Sequence, residues 1–115
     1  MTNQYDPQQL PAPVRDYAEG HHRHDFDLAM TAITDDTVVT DDGKVYTGRS
    51  AIRAWLERAT AEWTYTQEYV AQQQVSPTEW VVTNHLEGNF PGGVVDLQFR
   101  FVVADDKLAS LPIAP

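Results

Sequence analysis

Apolar residues recur at the three- and four-residue spacing of a helix face in three stretches of the first half of the chain. The first helix is expected to begin around two prolines, which a first turn tolerates, and to end at Gly20. Asp25 is expected to cap a second, short helix that ends at the turn-forming residues Thr34-Asp35-Asp36, and a third helix is predicted from about Ser50 to Glu62. The apolar faces of the three predicted helices are Leu10, Val14, Tyr17 and Ala18; Phe26, Ala29, Met30 and Ile33; and Ile52, Trp55, Leu56 and Ala59.

Alternating and β-branched residues predict the strands. Thr37–Thr40 and Lys44–Thr47 are predicted to form a hairpin around the tight turn Asp42-Gly43. The chain beyond the third helix is predicted to be β structure, with strands over Thr64–Val75, Trp80–Leu86, Val94–Val103 and Leu108–Ile113. This order predicts an α+β domain in which three N-terminal helices pack on a curved, mostly antiparallel sheet.

The period of two assigns a face to each residue of the long strands. The residues expected to face inward are Trp80, Val82, Asn84 and Leu86 on one strand and Leu97, Phe99, Phe101 and Val103 on the next. His85, Asp96 and Arg100 are expected on the outer face. That polar face suits a two-fold contact between sheets, with Asp96 and Arg100 paired across the axis.

Length and composition narrow the function. The 115 residues suffice for one domain, predicted over residues 10–115 behind a flexible tail at 1–9, and the lack of cysteine excludes disulfides and thiol catalysis. With 17 acidic and 8 scattered basic residues, a net charge of −9 disfavours nucleic acid. No apolar run approaches the roughly 20 residues that cross a bilayer, and no signal pattern is present, so a cytoplasmic location without membrane partner is expected.

The order of motifs in Thr34–Gly43 and Tyr46–Ile52 resembles the NTF2-like superfamily, especially its SnoaL-like and ketosteroid isomerase-like branch. Members of that branch show an Asp-Asp turn, a short strand that ends in an acidic residue, and a Gly-Arg opening to the third helix. The resemblance covers Leu10 to Ile113. It implies a cone of sheet wrapped around the long helix, a pocket inside the cone, and a homodimer formed through the outer sheet face.

The resemblance also implies site residues. Tyr17 falls on a helix-one tyrosine and Asp41 on a strand-end carboxylate, which face each other across the pocket in the isomerases, and Trp55 falls on a pocket-lining aromatic. Two departures stand out: the second acid of the isomerases falls near Phe99, and Asp42 replaces a proline. Gln67 or Asn84 would supply a neutral donor instead, if either side chain points inward.

Each candidate has a plainer interpretation. Asp41 is either a general base beside a carbonyl or a turn residue that bonds the local backbone. Tyr17 either donates a hydrogen bond to a ligand or packs its ring in the core. The aromatic residues that either line a cavity or form plain core are Trp55, Trp63, Tyr65, Tyr69 and Trp80.

The histidine-rich segment His21–Asp25 combines imidazoles and a carboxylate, which are metal ligands. Consecutive histidines in a loop do not impose a fixed geometry, so a solvated connection is favoured and no metal site is predicted.

The sequence therefore predicts a pocket protein for a small, largely apolar carbonyl or polyketide-like ligand. Acid–base chemistry without a cofactor is the leading hypothesis, with Asp41 as base and Tyr17 as donor. The residues expected to shape the pocket are Trp55, Asn84, Trp80 and Phe99. The alternative is a non-catalytic dimeric module that binds a ligand or another protein.

Overall fold

The computed structural model describes residues 2–115 and arranges them as three α-helices against one six-stranded sheet. A short 3-10 turn (Pro7–Gln9) precedes helices α1 (Ala12–Arg23), α2 (Phe26–Met30) and α3 (Arg49–Glu62). The strands are β1 (Ile33–Asp41), β2 (Lys44–Thr47), β3 (Tyr65–Ser76), β4 (Glu79–Gly88), β5 (Val94–Ala104) and β6 (Lys107–Ala114). They lie in the order β2-β1-β6-β5-β4-β3, with β1 and β6 parallel and the other neighbours antiparallel.

The predicted α+β class with a curved, mostly antiparallel sheet is confirmed, but the placement of all three helices ahead of the sheet is wrong. The β1–β2 hairpin precedes α3. Its turn is the predicted Asp42-Gly43, and both residues have positive φ (53° and 76°), as a two-residue hairpin turn of this kind requires. The turn reverses the chain, so that β2 leads into α3 beside β1.

The Gly-Arg pair at the start of α3 joins this helix to the preceding elements. Gly48 has φ 87°, and a Cβ there would lie 3.2 Å from the Asp35 carbonyl oxygen. The Arg49 guanidinium donates to the carbonyl oxygens of Met30 and Ile33 at 3.0 and 2.6 Å. Glycine at position 48 allows this close backbone approach, and arginine at position 49 supplies a charged donor for two backbone carbonyls.

Helix α1 does not end at Gly20, as predicted, but continues to Arg23 and is capped by His24 in the left-handed conformation (φ 55°). Gly20 is a packing position. A Cβ at Gly20 would lie 2.4 Å from the Ala29 nitrogen, so only glycine allows α1 and α2 to cross this closely. The extra turn places His21 on the buried helix face, four residues after Tyr17.

Strand β1 begins at Ile33, four residues earlier than predicted, and α2 ends at Met30. The strand register shifts between Ile33 and Val38. Asp35 and Asp36 therefore lie in a bulge of β1 and not in a turn that ends α2. The hydroxyl of Thr37 stabilises this bulge. It accepts a hydrogen bond from the Thr34 N–H at 2.9 Å and donates one to the Leu108 carbonyl.

Replacing Thr37 with valine is expected to lower the free energy of unfolding by about 1–3 kcal/mol, because the buried Leu108 carbonyl and the partly buried Thr34 N–H lose their partner. Urea denaturation measures the change. Thr40→Val on the same strand is the control, since the Thr40 side chain makes no hydrogen bond to the described residues. Equal stability of the two variants would contradict a role for the Thr37 hydroxyl.

The predicted faces of the long strands are confirmed for β4 and β5. Val82, Asn84, Phe99 and Phe101 are buried, and Asp96 is exposed. On β3, the register shifts between Tyr69 and Ala71. Because of this bulge, Tyr69 and Gln72 are both buried although they are three residues apart. Bulges bend a strand and increase its twist, which produces the curvature of the sheet around α1 and α3.

The segment predicted as a flexible tail makes defined contacts with the edge of the sheet. Asn3 and Gln72 exchange two backbone hydrogen bonds, at 2.7 and 2.8 Å. The Gln72 side chain accepts from the Asp6 N–H at 2.8 Å, and the rings of Tyr5 and Tyr69 lie 5.1 Å apart. These contacts cover part of the free edge of β3.

Among the described helices, none has the length and apolar character needed to cross a membrane.

Candidate functional site

A cavity of about 430 Å³ opens between the inner face of the sheet and helices α1 and α3. Its volume lies within the range of small-molecule sites. Apolar side chains form most of its wall, among them Trp55 and Trp63 from α3 and its end, and Leu97, Phe99 and Ile113 from β5 and β6. Its polar side chains include Asp41, His21 and Asn84.

Asp41 is the last residue of β1, and its half-buried side chain turns toward the cavity. The Trp55 indole N–H donates to its Oδ2 at 3.1 Å. The Tyr46 ring lies 5.8 Å from the Trp55 ring. Oδ1 makes no side-chain hydrogen bond within residues 2–115. The hairpin turn is therefore built by the next two residues, while the Asp41 carboxylate is oriented by α3 and has one oxygen available.

A chain of amides holds the wall at the β3–β4 side of the cavity. The Gln67 amide N–H donates to the His21 carbonyl at 3.4 Å, and its oxygen accepts from the Asn84 amide at 3.0 Å. Asn84 is completely buried, and its Oδ1 has no hydrogen-bond partner in the described structure. Gln67 is thus engaged in orienting Asn84. Of the two predicted neutral donors, Asn84 lines the cavity, but its amide N–H donates to Gln67 and the atom left without a partner is the oxygen, which is an acceptor.

His21 is the residue that sequence reasoning missed. It lines the cavity at 8% exposure, and its Nδ1 is buried without a partner among the described residues. Burial lowers its pKa to about 4; the Gln67 side chain opposes this shift, and His24 and His22 reinforce it. The imidazole is therefore neutral at pH 7. The helical spacing of the sequence indicates this position, because residue 21 extends the buried face of Val14, Tyr17 and Ala18 by one turn.

His21 gives the stability of the protein a component that depends on pH. Between pH 6.5 and about 4, the unfolded chain binds a proton at this residue and the folded chain does not. Its contribution to the free energy of unfolding is therefore complete above pH 6.5 and decreases as the pH falls. The expected loss between pH 7 and 4 is about 3 kcal/mol.

Urea denaturation at several pH values measures this component in the wild type and in His21→Phe, where it should be missing. The control is His22→Phe, which changes the exposed neighbour and should keep the wild-type pH dependence. The same slope in wild type and His21→Phe would contradict the assignment.

Two of the six predicted site residues do not line this cavity. Tyr17 is fully buried behind it, with its ring 5.8 Å from Phe101 and its hydroxyl without a partner in the described structure. Burial, and secondarily the charge of Asp41, raise the pKa of Tyr17 far above its usual value. Trp80 packs in the core on β4. Asp41, Trp55, Asn84 and Phe99 do share the cavity.

His85 lies on the outer face of the sheet, as expected from the strand period. Its Nδ1 lies 2.5 Å from an Asp96 oxygen and its Nε2 lies 2.7 Å from a Glu87 oxygen, and these bonds raise the pKa of His85. Arg100 pairs with Glu79 at 3.0 Å. Asp96 and Arg100, predicted to pair across a dimer axis, thus each have a partner within the chain.

The segment predicted as a solvated histidine connection is instead the last turn of α1 and its cap, with His21 buried and His22 and His24 exposed. Within residues 2–115, no group of three or more histidine or acidic side chains is arranged to hold a metal ion.

A curved sheet that packs against helices and encloses an apolar cavity with them is typical of the cone-shaped proteins that have an internal pocket. The chain belongs to the SnoaL-like domain family, whose model matches residues 14–111. Comparison with curated protein sequences finds no match.

Solved structures of the same fold are numerous. A candidate polyketide cyclase from Sinorhizobium meliloti is 28% identical, with a TM-score of 0.87 over 96% of this chain and 100% of that one. A Mycobacterium tuberculosis protein in complex with estradiol-17β-hemisuccinate is 20% identical (TM-score 0.74; 93% and 95% covered). A Catenulispora acidiphila protein with a ketosteroid isomerase-like fold, in complex with trimethylamine, is 16% identical (TM-score 0.77; 93% and 87% covered).

Proposed function

We propose that this protein binds a small, largely apolar carbonyl or polyketide-like molecule in the cavity and catalyses proton transfer at the carbon beside the carbonyl. The observation that carries the proposal is the Asp41 carboxylate, held on an apolar cavity wall by the Trp55 indole with one oxygen available. An oriented carboxylate at such a wall is suited to general-base chemistry, which requires no cofactor.

In the proposed step, the free oxygen of Asp41 takes a proton from the α-carbon, and the electron pair of the C–H bond forms the enolate. Return of the proton to the same or another carbon completes an exchange or an isomerisation. Apolar walls limit solvent around the enolate, and the Trp55 bond keeps the carboxylate from rotating away from the ligand. Tyr17 acts from behind the wall in this proposal, as packing for His21 and Phe101.

The ligand class is supported by the character of the wall and by relatives. Ligands fit apolar pockets when their own surface is mostly apolar, with a few polar groups opposite the polar side chains. The similar Sinorhizobium meliloti protein is a candidate polyketide cyclase. The Mycobacterium tuberculosis protein of the same fold is in complex with a steroid ester. Both support a flat, polycyclic or polyketide-like ligand.

Exchange of α-protons in D₂O tests the proposal, with 2-tetralone as an enolisable apolar ketone. Proton NMR follows the loss of the α-proton signal, and we expect the protein to accelerate it above the rate in buffer. Shifts of the indole N–H resonances of Trp55 and Trp63 report binding separately. Binding without exchange would contradict the catalytic proposal, and absence of both would contradict the pocket function as well.

The second candidate is a non-catalytic binding module. It is favoured by Phe99, which places an aromatic ring on the cavity wall where the isomerases carry an acid, and by the Tyr17 hydroxyl, which does not reach the cavity. The exchange assay separates the two candidates, because a module shifts the indole resonances without catalysing exchange.

We also propose that the protein is a cytoplasmic homodimer that associates through the outer sheet face. Val70 on β3 and Val94 at the start of β5 are 40% and 58% exposed and leave apolar surface available for such a contact. Analytical ultracentrifugation of the whole chain tests the association, for which a monomer over the micromolar range would be the contrary result.

A further inference from the structure

We propose that His21 and Asn84 form a neutral subsite that holds a hydroxyl group of the ligand at the end of the cavity away from Asp41. This inference rests on the proposed function and extends it. It makes the ligand an elongated apolar molecule with a carbonyl at one end and a hydroxyl at the other.

The first support is the unsatisfied hydrogen-bonding capacity of the two side chains. Both line the cavity, His21 at 8% exposure and Asn84 at 0%. The Nδ1 of His21 and the Oδ1 of Asn84 are sealed from water and lack a partner within residues 2–115. Buried polar atoms in native proteins nearly always have a partner, so two such atoms at one cavity wall indicate that a ligand supplies it after a small rotation of each side chain.

The second support is the fixed orientation of the Asn84 amide. The His21 carbonyl is an acceptor, so it orients the Gln67 N–H₂ toward itself and the Gln67 oxygen toward Asn84. That oxygen in turn requires the N–H₂ of Asn84, which leaves Oδ1 free. An amide oxygen is only an acceptor, and the ligand group opposite it must therefore be a donor.

The third support is the lack of charge at this wall. Because burial holds His21 in its neutral form at pH 7, neither it nor Asn84 balances the charge of a carboxylate or an ammonium group. Burial of an unpaired charge is strongly unfavourable. A hydroxyl is neutral. Its single proton goes to the Asn84 oxygen and its lone pairs accept the imidazole N–H, so it matches this pair.

The strand order sets the distance between the two ends. Asp41 pairs with Ile113, Ile113 pairs with Phe99, and the neighbouring Leu97 pairs with Asn84, so three strand steps separate Asp41 from Asn84. Strands lie about 4.8 Å apart, which gives roughly 14 Å along the sheet and less across its curve. The apolar side chains between the two ends would contact the body of the ligand.

The test compares 2-naphthol with 2-methylnaphthalene, which has a similar shape and no hydroxyl. Titrations followed on the indole resonances of Trp55 and Trp63 give both affinities. We expect the wild type to bind 2-naphthol about five- to tenfold more tightly, the ratio of one net hydrogen bond. Asn84→Leu and His21→Phe should each abolish this preference while 2-methylnaphthalene binds as before. Asp41→Asn, the control at the other end, should keep it.

Equal affinity of the wild type for both probes would overturn the subsite, as would a preference that disappears in Asp41→Asn and persists in the other two variants. If neither probe binds, the proposed function itself fails, and this inference fails with it. Should Asn84→Leu not fold, His21→Phe decides, because phenylalanine retains an aromatic ring at that position of α1.

Discussion

Replacing Asp41 with asparagine is expected to lower the rate of α-proton exchange by about 10²- to 10⁴-fold, the usual contribution of a positioned general base. Asparagine has nearly the shape of aspartate, and its amide oxygen accepts the Trp55 N–H, so the fold and the cavity should persist. What is lost is the basic carboxylate oxygen. The 2-tetralone exchange assay measures the rate, and the indole resonances show whether binding is unchanged.

The matched control is Asp42→Asn. It removes a carboxylate one residue further along, at the exposed turn, where asparagine adopts the required positive φ as readily as aspartate. We expect this variant to keep most of the exchange activity. A similar loss in both variants would indicate that the exchange depends on the negative charge that Asp41 and Asp42 place at the cavity, and not on a base at Asp41. Unchanged exchange in Asp41→Asn would remove Asp41 from the mechanism.

Replacing Gly20 with alanine is expected to lower the free energy of unfolding by about 3 kcal/mol or more, at the upper end of overpacking effects. The added Cβ would lie 2.4 Å from the Ala29 nitrogen and 2.8 Å from the Asp25 carbonyl oxygen. Both are backbone atoms, so no side chain can rotate to make room. Helices α1 and α2 would have to separate, and His21 would move with them.

The sign of this effect is diagnostic, because alanine in a helix interior is normally more stable than glycine by about 0.5–1 kcal/mol. Urea denaturation measures the change. Gly43→Ala is a useful comparison: its Cβ would meet nothing within 4 Å, and only its φ of 76° opposes substitution. The Gly20 variant should lose clearly more stability. A stabilising Gly20→Ala would show that the two helices are not in the close contact described.

The boundary errors share one cause. Gly20 and the pair Asp35-Asp36 are residue types that commonly end helices or form turns. Local preference alone therefore assigns Gly20 to a helix end and Asp35-Asp36 to a turn. In the structure, Gly20 meets the backbone of α2, and Asp35-Asp36 lie in a bulge stabilised by the Thr37 hydroxyl. Contacts with distant segments override local preference at these positions.

The candidate site was predictable in part. The strand period placed Asn84 and Phe99 inward, and the resemblance to a family placed Asp41 and Trp55 together; all four line the cavity. Tyr17 was predicted on the correct helix face, yet its hydroxyl does not reach the cavity. His21, one turn further along the same face, does line it. Helix periodicity gives a direction from the axis, and the depth at which a side chain ends depends on the sheet opposite.

The sequence alone determined what depends on neighbours along the chain: the helix faces, the alternation of β4 and β5, and the Asp42-Gly43 turn, since each follows from local backbone geometry. Tertiary structure decided what depends on strand register and helix crossing. The Trp55 bond to Asp41 requires α3 to cross the end of β1. The Asn84–Gln67–His21 chain requires β4, β3 and the extended α1 to meet. These contacts join residues far apart in sequence, and only the folded chain fixes their separation.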